Sequence, residues 1–288
     1  MVVPGRAARA ETGVWLSVLA YVSLTLLKLA VGALAGSLSL QADGYNNVTD
    51  LVASFTLLVG LRVARRPRDE NHPYGHGRAE AIASLITSIV MAAIALQVLL
   101  AAGARLLGLQ EGTVPDPLAA WVGAAAAAVL FTLFAFNRRL AAKLNSLSLW
   151  ALSRDNLSDA LVSTGTVVGI IGSRLGAPSL DPLAALVIGA VICRTSWSIF
   201  KESAIILTDG FDEQELARYR ETVLSVPGVE GVGDIRARLL GRDILVDVTI
   251  KVSPDLNVVD SHRIADATER ELRRRHRVRS SFIHVEPS

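Results

Sequence analysis

Four polar side chains stand inside stretches apolar enough to cross a membrane. Asn46 and Asp50 lie in ADGYNNVTDLVASFTLLVG, and Asp155 and Asp159 lie in LSLWALSRDNLSDALVSTGTVVGI. Each pair is spaced i, i+4, so each shares one face of a helix. An ionisable group within a spanning helix costs about 2.5–3.5 kcal/mol or more, which marks it as a candidate for function. Three carboxylates and one amide supply oxygen donors without His or Cys. Hard oxygen donors suit Mn(II), Mg(II), Ca(II) and Fe(II); zinc sites usually include imidazole nitrogen or thiolate. Three carboxylates facing a divalent ion leave one negative charge that a proton can share. Carboxylates crowded in low dielectric titrate together, which is a physical route to exchanging metal for protons. The competing reading is that these groups hold helices together through hydrogen bonds. Asp43 and Asn47 form a second i, i+4 pair one helix step round, and spacing alone does not decide which register lines a site. Asn156, beside Asp155, shares that ambiguity. Lys28 reads as a buried partner or a snorkelling side chain.

Positioning such a site takes a helix bundle in a membrane. The chain has 288 residues, 51% of them hydrophobic, and a mean hydropathy of +0.42, too apolar for an ordinary soluble domain. Stretches of about 20 apolar residues, enough to span, recur over about 14–38, 40–63, 79–107, 118–140, 147–171 and 182–207. The second and fifth are the least apolar, as expected of helices buried inside a bundle. Arg62, Arg65, Arg66, Arg68 and Arg78 crowd the loop after the second span; Arg138, Arg139 and Lys143 crowd the loop after the fourth; Arg6 and Arg9 precede the first. The opposite loops, ALAGSLSLQ, GLQEGTVPDP and SRLGAPSLDP, are poor in Lys and Arg. The basic loops mark the cytoplasmic side, which puts both termini in the cytoplasm of a multi-pass cell-membrane protein; the Ala-rich composition fits a bacterial inner membrane. The N-terminal MVVPGRAARAETG lacks the apolar core of a signal peptide. The single cysteine, Cys193, excludes an internal disulfide framework and a thiolate metal site. A net charge of +2 gives no reason to expect a nucleic-acid partner.

Beyond Leu207 the composition turns mixed and polar. DEQELARYRETVLSV reads as a helix with acidic residues in its first turn, ended by Pro227-Gly228. GVGDIRARLL and DILVDVTIKV read as strands; in the second, Ile244, Val246, Val248, Ile250 and Val252 alternate as in a half-buried strand. VVDSHRIADATERELRRRH reads as a helix presenting Ile264, Ala265, Thr268 and Leu272 to a core, and VRSSFIHVEP as a last strand. The expected fold is a membrane all-α six-helix transmembrane domain over residues 1–208, followed by a small cytoplasmic α+β (α-β-β-α-β) domain over 209–288. The latter has a thin core that dimerisation or bound metal would supplement.

The second and fifth spans, with DENHPYGHGRAE between the second and third, resemble the cation diffusion facilitator family. The resemblance covers about 14–286, and HPYGHGRAE, from His72 to Glu80, is its most specific stretch. It implies a homodimeric transporter of divalent metal, not an enzyme, with six spans and a metallochaperone-like cytoplasmic domain. It implies a transport site of Asn46 and Asp50 with Asp155 and Asp159. The zinc-transporting members look like Asp-x3-Asp with His-x3-Asp, so Asn46 and Asp155 depart from that pattern and the one nitrogen donor is lost. DGYNNVTD is similar to the manganese-exporting branch. Proton-coupled export of Mn(II) is the expectation; Fe(II) or Zn(II) export, or a membrane-anchored metal sensor, are the alternatives.

The same resemblance matches Asp69, His72 and His76 to a cytoplasmic loop metal site, for which a hydrogen-bonded loop brace is the alternative. It matches Arg78 and Asp209 to a salt bridge joining the membrane and cytoplasmic parts. His262, His284 and Glu286 stand where the family binds regulatory metal, while Gly233 and Thr249 occupy positions where two further histidines would complete a binuclear cluster. One metal on His262, His284 and Glu286, or a metal-free dimer contact, both remain open.

Overall fold

The computed structural model describes all residues except 1–3, 111–113, 145–146, 242 and 277. Part of the loop GLQEGTVPDP therefore lies outside the described residues. Six long helices come first: α1 (Pro4–Leu34), α2 (Leu38–Ala64), α3 (Ala79–Leu106), α4 (Pro117–Leu144), α5 (Leu147–Arg174) and α6 (Leu180–Leu207). Five of them are long and apolar enough to cross a membrane. The other is α5, whose first half carries Arg154, Asp155 and Asp159. Arg6 and Arg9 do not precede the first helix but lie in its first turns, ahead of an apolar part that runs Ser17–Leu34.

Helix ends differ from the hydropathy reading for local reasons. The first helix stops at Leu34 rather than near Leu38 because Gly36 turns to φ +70°, a conformation glycine adopts without penalty. Ser37 N–H then donates to Gly32 O at 3.0 Å, closing the helix end. Pro117 opens α4 at the position where its missing N–H costs nothing, and Asp116 Oδ1 accepts from Leu118 N–H at 2.8 Å.

The chain divides into two compact units, one of Met1–Phe55 with Thr87–Trp197 and one of Thr56–Ile86 with Ser198–Ser288. In the first, α1, α4 and α5 pack through buried Tyr21, Leu24, Ala126, Leu130 and Ala160. A second cluster joins Leu40 to Ala119, Val122 and Ile170. Gly123 lets α4 and α5 approach closely: a Cβ there would lie 2.9 Å from Val167.

In the second unit, α7 (Glu213–Leu224), β1 (Gly231–Leu240), β2 (Asp243–Val252), α8 (Val258–His276) and β3 (Ser280–Pro287) follow the expected α-β-β-α-β order. Asp212 caps α7, accepting from Gln214 N–H and Glu215 N–H. The sheet runs β1-β2-β3, with β1 antiparallel and β3 parallel to β2. Val246, Val248, Ile250 and Val252 point to one face and meet Tyr219, Val223 and Leu272 from the two helices, so the alternation in DILVDVTIKV is the buried face of a central strand. On the opposite face Asp247, Lys251, Phe282 and His284 are exposed.

Candidate metal-transport site

Helices α1, α2 and α5 carry the polar residues that the sequence marks for a transport site. Asn46 Nδ2 on α2 donates to Asp159 Oδ1 on α5 at 3.0 Å. The other carboxylate oxygen, Asp159 Oδ2, accepts from the Tyr21 hydroxyl on α1, which also lies 3.2 Å from Asn156 Oδ1. Asp159 is buried, Asn46 and Asp50 are half-buried, and Asp155 is exposed. Asp50 Oδ2 is buried and has no hydrogen-bond partner among the described residues. The structure thus brings Asn46 and Asp159 into direct contact, with Tyr21 as a third member.

The neighbouring register is otherwise engaged. Lys28 Nζ on α1 lies 2.9 Å from Asp43 Oδ1, 3.5 Å from Asn47 Oδ1 and 3.0 Å from Ser163 Oγ. Lys28, Asp43, Asn47 and Ser163 all have zero exposure. A buried charge needs a partner, and removing one member of such a pair costs about 3–5 kcal/mol. Of the two readings of Lys28, the buried partner is the one observed. Tyr21 and Lys28 are seven residues apart, two turns along one face of α1. The sequence pointed to Lys28 but missed Tyr21 and Ser163. A hydroxyl-bearing aromatic at that spacing from a buried lysine was the available signal.

A third cluster ties the helix ends. Asp181, in the first turn of α6, accepts from Ser37 Oγ at 2.7 Å, Ser39 Oγ at 2.5 Å, Leu38 N–H at 2.8 Å and Ser39 N–H at 3.3 Å. It therefore caps α2 from another helix. Arg105 Nη1 donates to Gly36 O at 2.9 Å and lies 4.0 Å from Asp181 Oδ2.

In the second unit, Asp69, His72 and His76 offer ligand atoms that all lie within 4.8 Å of one another. His72 Nδ1 is 2.8 Å from Asp69 Oδ1, and His76 Nε2 is 3.4 Å from Asp69 Oδ2. Asp69 also accepts from the backbone N–H groups of Asn71 and His72. The hydrogen bond from the His72 side chain holds the Asp69 carboxyl below the usual carboxylate range. The cluster is both a possible two-imidazole, one-carboxylate donor set and a braced loop. Arg78 and Asp209 form an ion pair, with Asp209 in a left-handed conformation at φ +59°. Beside it, Gly77 packs so closely on the backbone of Leu240 that a Cβ would stand 2.8 Å from the carbonyl carbon.

The cytoplasmic histidines are spread out. His284 Nε2 lies 3.6 Å from Glu286 Oε1 on β3, whereas His262 Nε2 lies 3.6 Å from Asp266 Oδ2 on α8. The chain does not bring His262 together with His284 and Glu286. Thr249 is paired with His284 across β2 and β3, and Gly233 packs beside Thr249.

Residues 14–208 match the cation efflux transmembrane domain, and residues 211–288 match the cytoplasmic domain of cation efflux proteins. The chain belongs to the cation efflux family. It is 45% identical to the manganese efflux system protein MneS of Bacillus subtilis (strain 168), over 97% of this chain and 96% of that one. It is 41% identical to the uncharacterized transporter YdbO of the same organism, over the same shares. It is 29% identical to the magnetosome protein MamB of Paramagnetospirillum magneticum, over 91% of this chain and 88% of that one. This cation efflux protein is therefore a multi-pass membrane transporter of divalent metal ions with a cytoplasmic C-terminal domain, and not an enzyme. The small α+β domain is that cytoplasmic domain.

Proposed function

We propose that this chain exports Mn(II) from the cytoplasm in exchange for protons. Asn46, Asp50, Asp155 and Asp159 form the transport site. The observation that carries this reading is the 3.0 Å contact between Asn46 and Asp159, which joins the two polar helices at the pairs the sequence marks. The oxygen-only donor set favours Mn(II) over Zn(II). The likeness to a manganese efflux protein supports the same metal. Protons are the natural counter-ions because Asp50, Asp155 and Asp159 must each lose or share charge when the metal departs. Rocking of helices about a site within the bundle would alternate access.

The transport part spans residues 1–208 and the cytoplasmic part 209–288. The protein acts as a homodimer in a bacterial inner membrane, with both termini in the cytoplasm. Asp69, His72 and His76 form an accessory cytoplasmic metal site, supported by their mutual proximity. A regulatory metal at His284 and Glu286 would need ligands beyond His262 of the same chain, because His262 pairs with Asp266.

The deciding experiment is uptake of Mn(II) and Zn(II) into proteoliposomes under an imposed pH gradient. Mn(II) uptake that collapses with the gradient, alongside weak Zn(II) uptake, is the expected result. Preferential Zn(II) uptake would overturn the donor-set argument; Mn(II) uptake indifferent to the gradient would overturn proton exchange.

A further inference from the structure

Lys28 sits where a cation would sit. Its ammonium faces three oxygens of different kinds: the Asp43 carboxylate at 2.9 Å, the Ser163 hydroxyl at 3.0 Å and the Asn47 amide at 3.5 Å. Carboxylate, amide and hydroxyl oxygens are the donors that hard metal ions take. An ammonium has three donors, one for each oxygen. The cage is fully enclosed. Asp43 Oδ2 is also buried there without a hydrogen-bond partner among the described residues, so the cage holds one carboxylate oxygen beyond those the ammonium uses.

Its place along the helices matters. On α2, Asp43 and Asn47 each precede Asn46 and Asp50 by three residues; on α5, Ser163 follows Asp159 by four. At about 1.5 Å per residue, the cage lies about 4.5–6 Å further along both helices. Because α6 leads into the cytoplasmic domain and successive spans alternate in direction, that displacement is toward the non-cytoplasmic ends of both α2 and α5. Cargo leaving the cell passes this level.

We infer that Lys28 is a tethered cation that fills a second, exit-side oxygen cage and so confines the transported metal to one position between α2 and α5. The cage with its lysine is neutral. Without the ammonium it is a singly negative oxygen site next to the cargo path, and it takes a divalent ion. A plain structural brace would instead lose stability on substitution and gain no ion. The inference extends the transport reading but does not need every residue of it, since the cage residues are distinct from the four assigned to the cargo.

The test uses the full-length protein purified in detergent. Mn(II) bound at saturation is counted by equilibrium dialysis with elemental analysis, and spin coupling between neighbouring Mn(II) ions is read by electron paramagnetic resonance. Lys28→Ala and Lys28→Gln are expected to bind one more Mn(II) per protomer than the unaltered protein. Lys28→Gln keeps an amide donor for Asp43 if loss of the ammonium alone unfolds the bundle. The same increment is expected in an Asp159→Asn background; its persistence there separates the cage from the transport-site assignment, which fails independently if unaltered and Asp159→Asn proteins bind the same number of ions. A folded Lys28 variant with no added ion overturns the inference. So does a coupled pair about 6 Å apart in the membrane part of the unaltered protein, whatever the variants do.

Discussion

Asn46 on α2 donates its side-chain amide to Asp159 on α5 across 3.0 Å, while Tyr21 on α1 donates to the other oxygen of the same carboxylate. Both Asp159 oxygens are thus engaged by neutral donors from two other helices. If Asp159 is a transport ligand, as proposed, a bound metal competes with these two donors for the lone pairs of the carboxylate. Asp159→Ala and Asp50→Ala are each expected to abolish Mn(II) transport in proteoliposomes, with the dimer intact by size-exclusion chromatography. Retained transport in either folded variant would remove that residue from the site.

Tyr21 has a separable part. Its ring packs with Leu24, Ala126, Leu130 and Ala160, and its hydroxyl touches Asp159. Tyr21→Phe keeps the packing and deletes the donor. Loss of an outer-shell partner to a metal ligand typically costs about 10–100-fold in affinity or activity. A weakening of that order in Mn(II) affinity, with only a modest fall in melting temperature from the donor that Asp159 loses, is the expected outcome for Tyr21→Phe. Equal loss of stability and affinity would mean that the hydroxyl only braces the bundle.

The pattern of the sequence carried the helices well because spanning length and charge placement leave little freedom. It carried the α-β-β-α-β domain because the alternation of Ile244 through Val252 is the signature of a strand with one buried face. It did not decide between Asn46/Asp50 and Asp43/Asn47, since both pairs have the same period on the same helix. What separates them is Lys28, on a different helix, which engages Asp43 and Asn47. Periodicity within one element cannot encode which neighbour arrives at which face. The same limit hides Asp181, which by composition belongs to the loop SRLGAPSLDP: its partners, Ser37, Leu38 and Ser39, are more than 140 positions away. The grouping of His262 with His284 follows from the family resemblance, and within this chain the helix carrying His262 packs on the sheet face opposite to His284.

Metal choice follows from donor type. Asn46→Asp with Asp155→His leaves the formal charge of the four residues unchanged and introduces an imidazole nitrogen. Nitrogen donors favour Zn(II) over Mn(II). The double variant is expected to raise the ratio of Zn(II) to Mn(II) uptake in competition assays. If the parent's ranking persists, selectivity is set by something other than the donor atoms at these two positions.

The Asp181 cluster predicts stability rather than selectivity. Asp181 accepts four hydrogen bonds from Ser37, Leu38 and Ser39 and is almost fully buried. Asp181→Ala removes the cap of α2 and leaves two hydroxyls and two backbone N–H groups to find other acceptors. Cap loss and unsatisfied donors together are worth roughly 2–5 kcal/mol. A clear fall in melting temperature in detergent is expected. Asp181→Asn retains an acceptor and should fall less; equal losses would point to the charge, and hence to Arg105, as the main contributor.

The cytoplasmic domain carries a titration of its own. His276, at the end of α8, has its ring against Tyr219 at 4.6 Å between centroids, and its Nε2 lies 2.7 Å from Thr222 Oγ1. Burial pushes the imidazole below its ordinary value. A histidine whose folded value is depressed binds its proton more readily in the unfolded chain. Stability is then complete above the unfolded value of about 6.5 and declines as the pH falls below it, until the folded value is passed. Asp69 and Glu271 are depressed carboxylates, so their contributions are full above the ordinary carboxylate range and are lost as the pH falls from that range through the lower folded values. The protection factors of α7 and α8 amides in the full-length protein, meaning exchange corrected for the intrinsic base-catalysed rate at each pH, should therefore fall between about pH 7 and pH 5. His276→Gln keeps a polar partner for Thr222 without a titrating ring, and should flatten that dependence. If the variant shows the same loss of protection, the pH response of the domain belongs to another group.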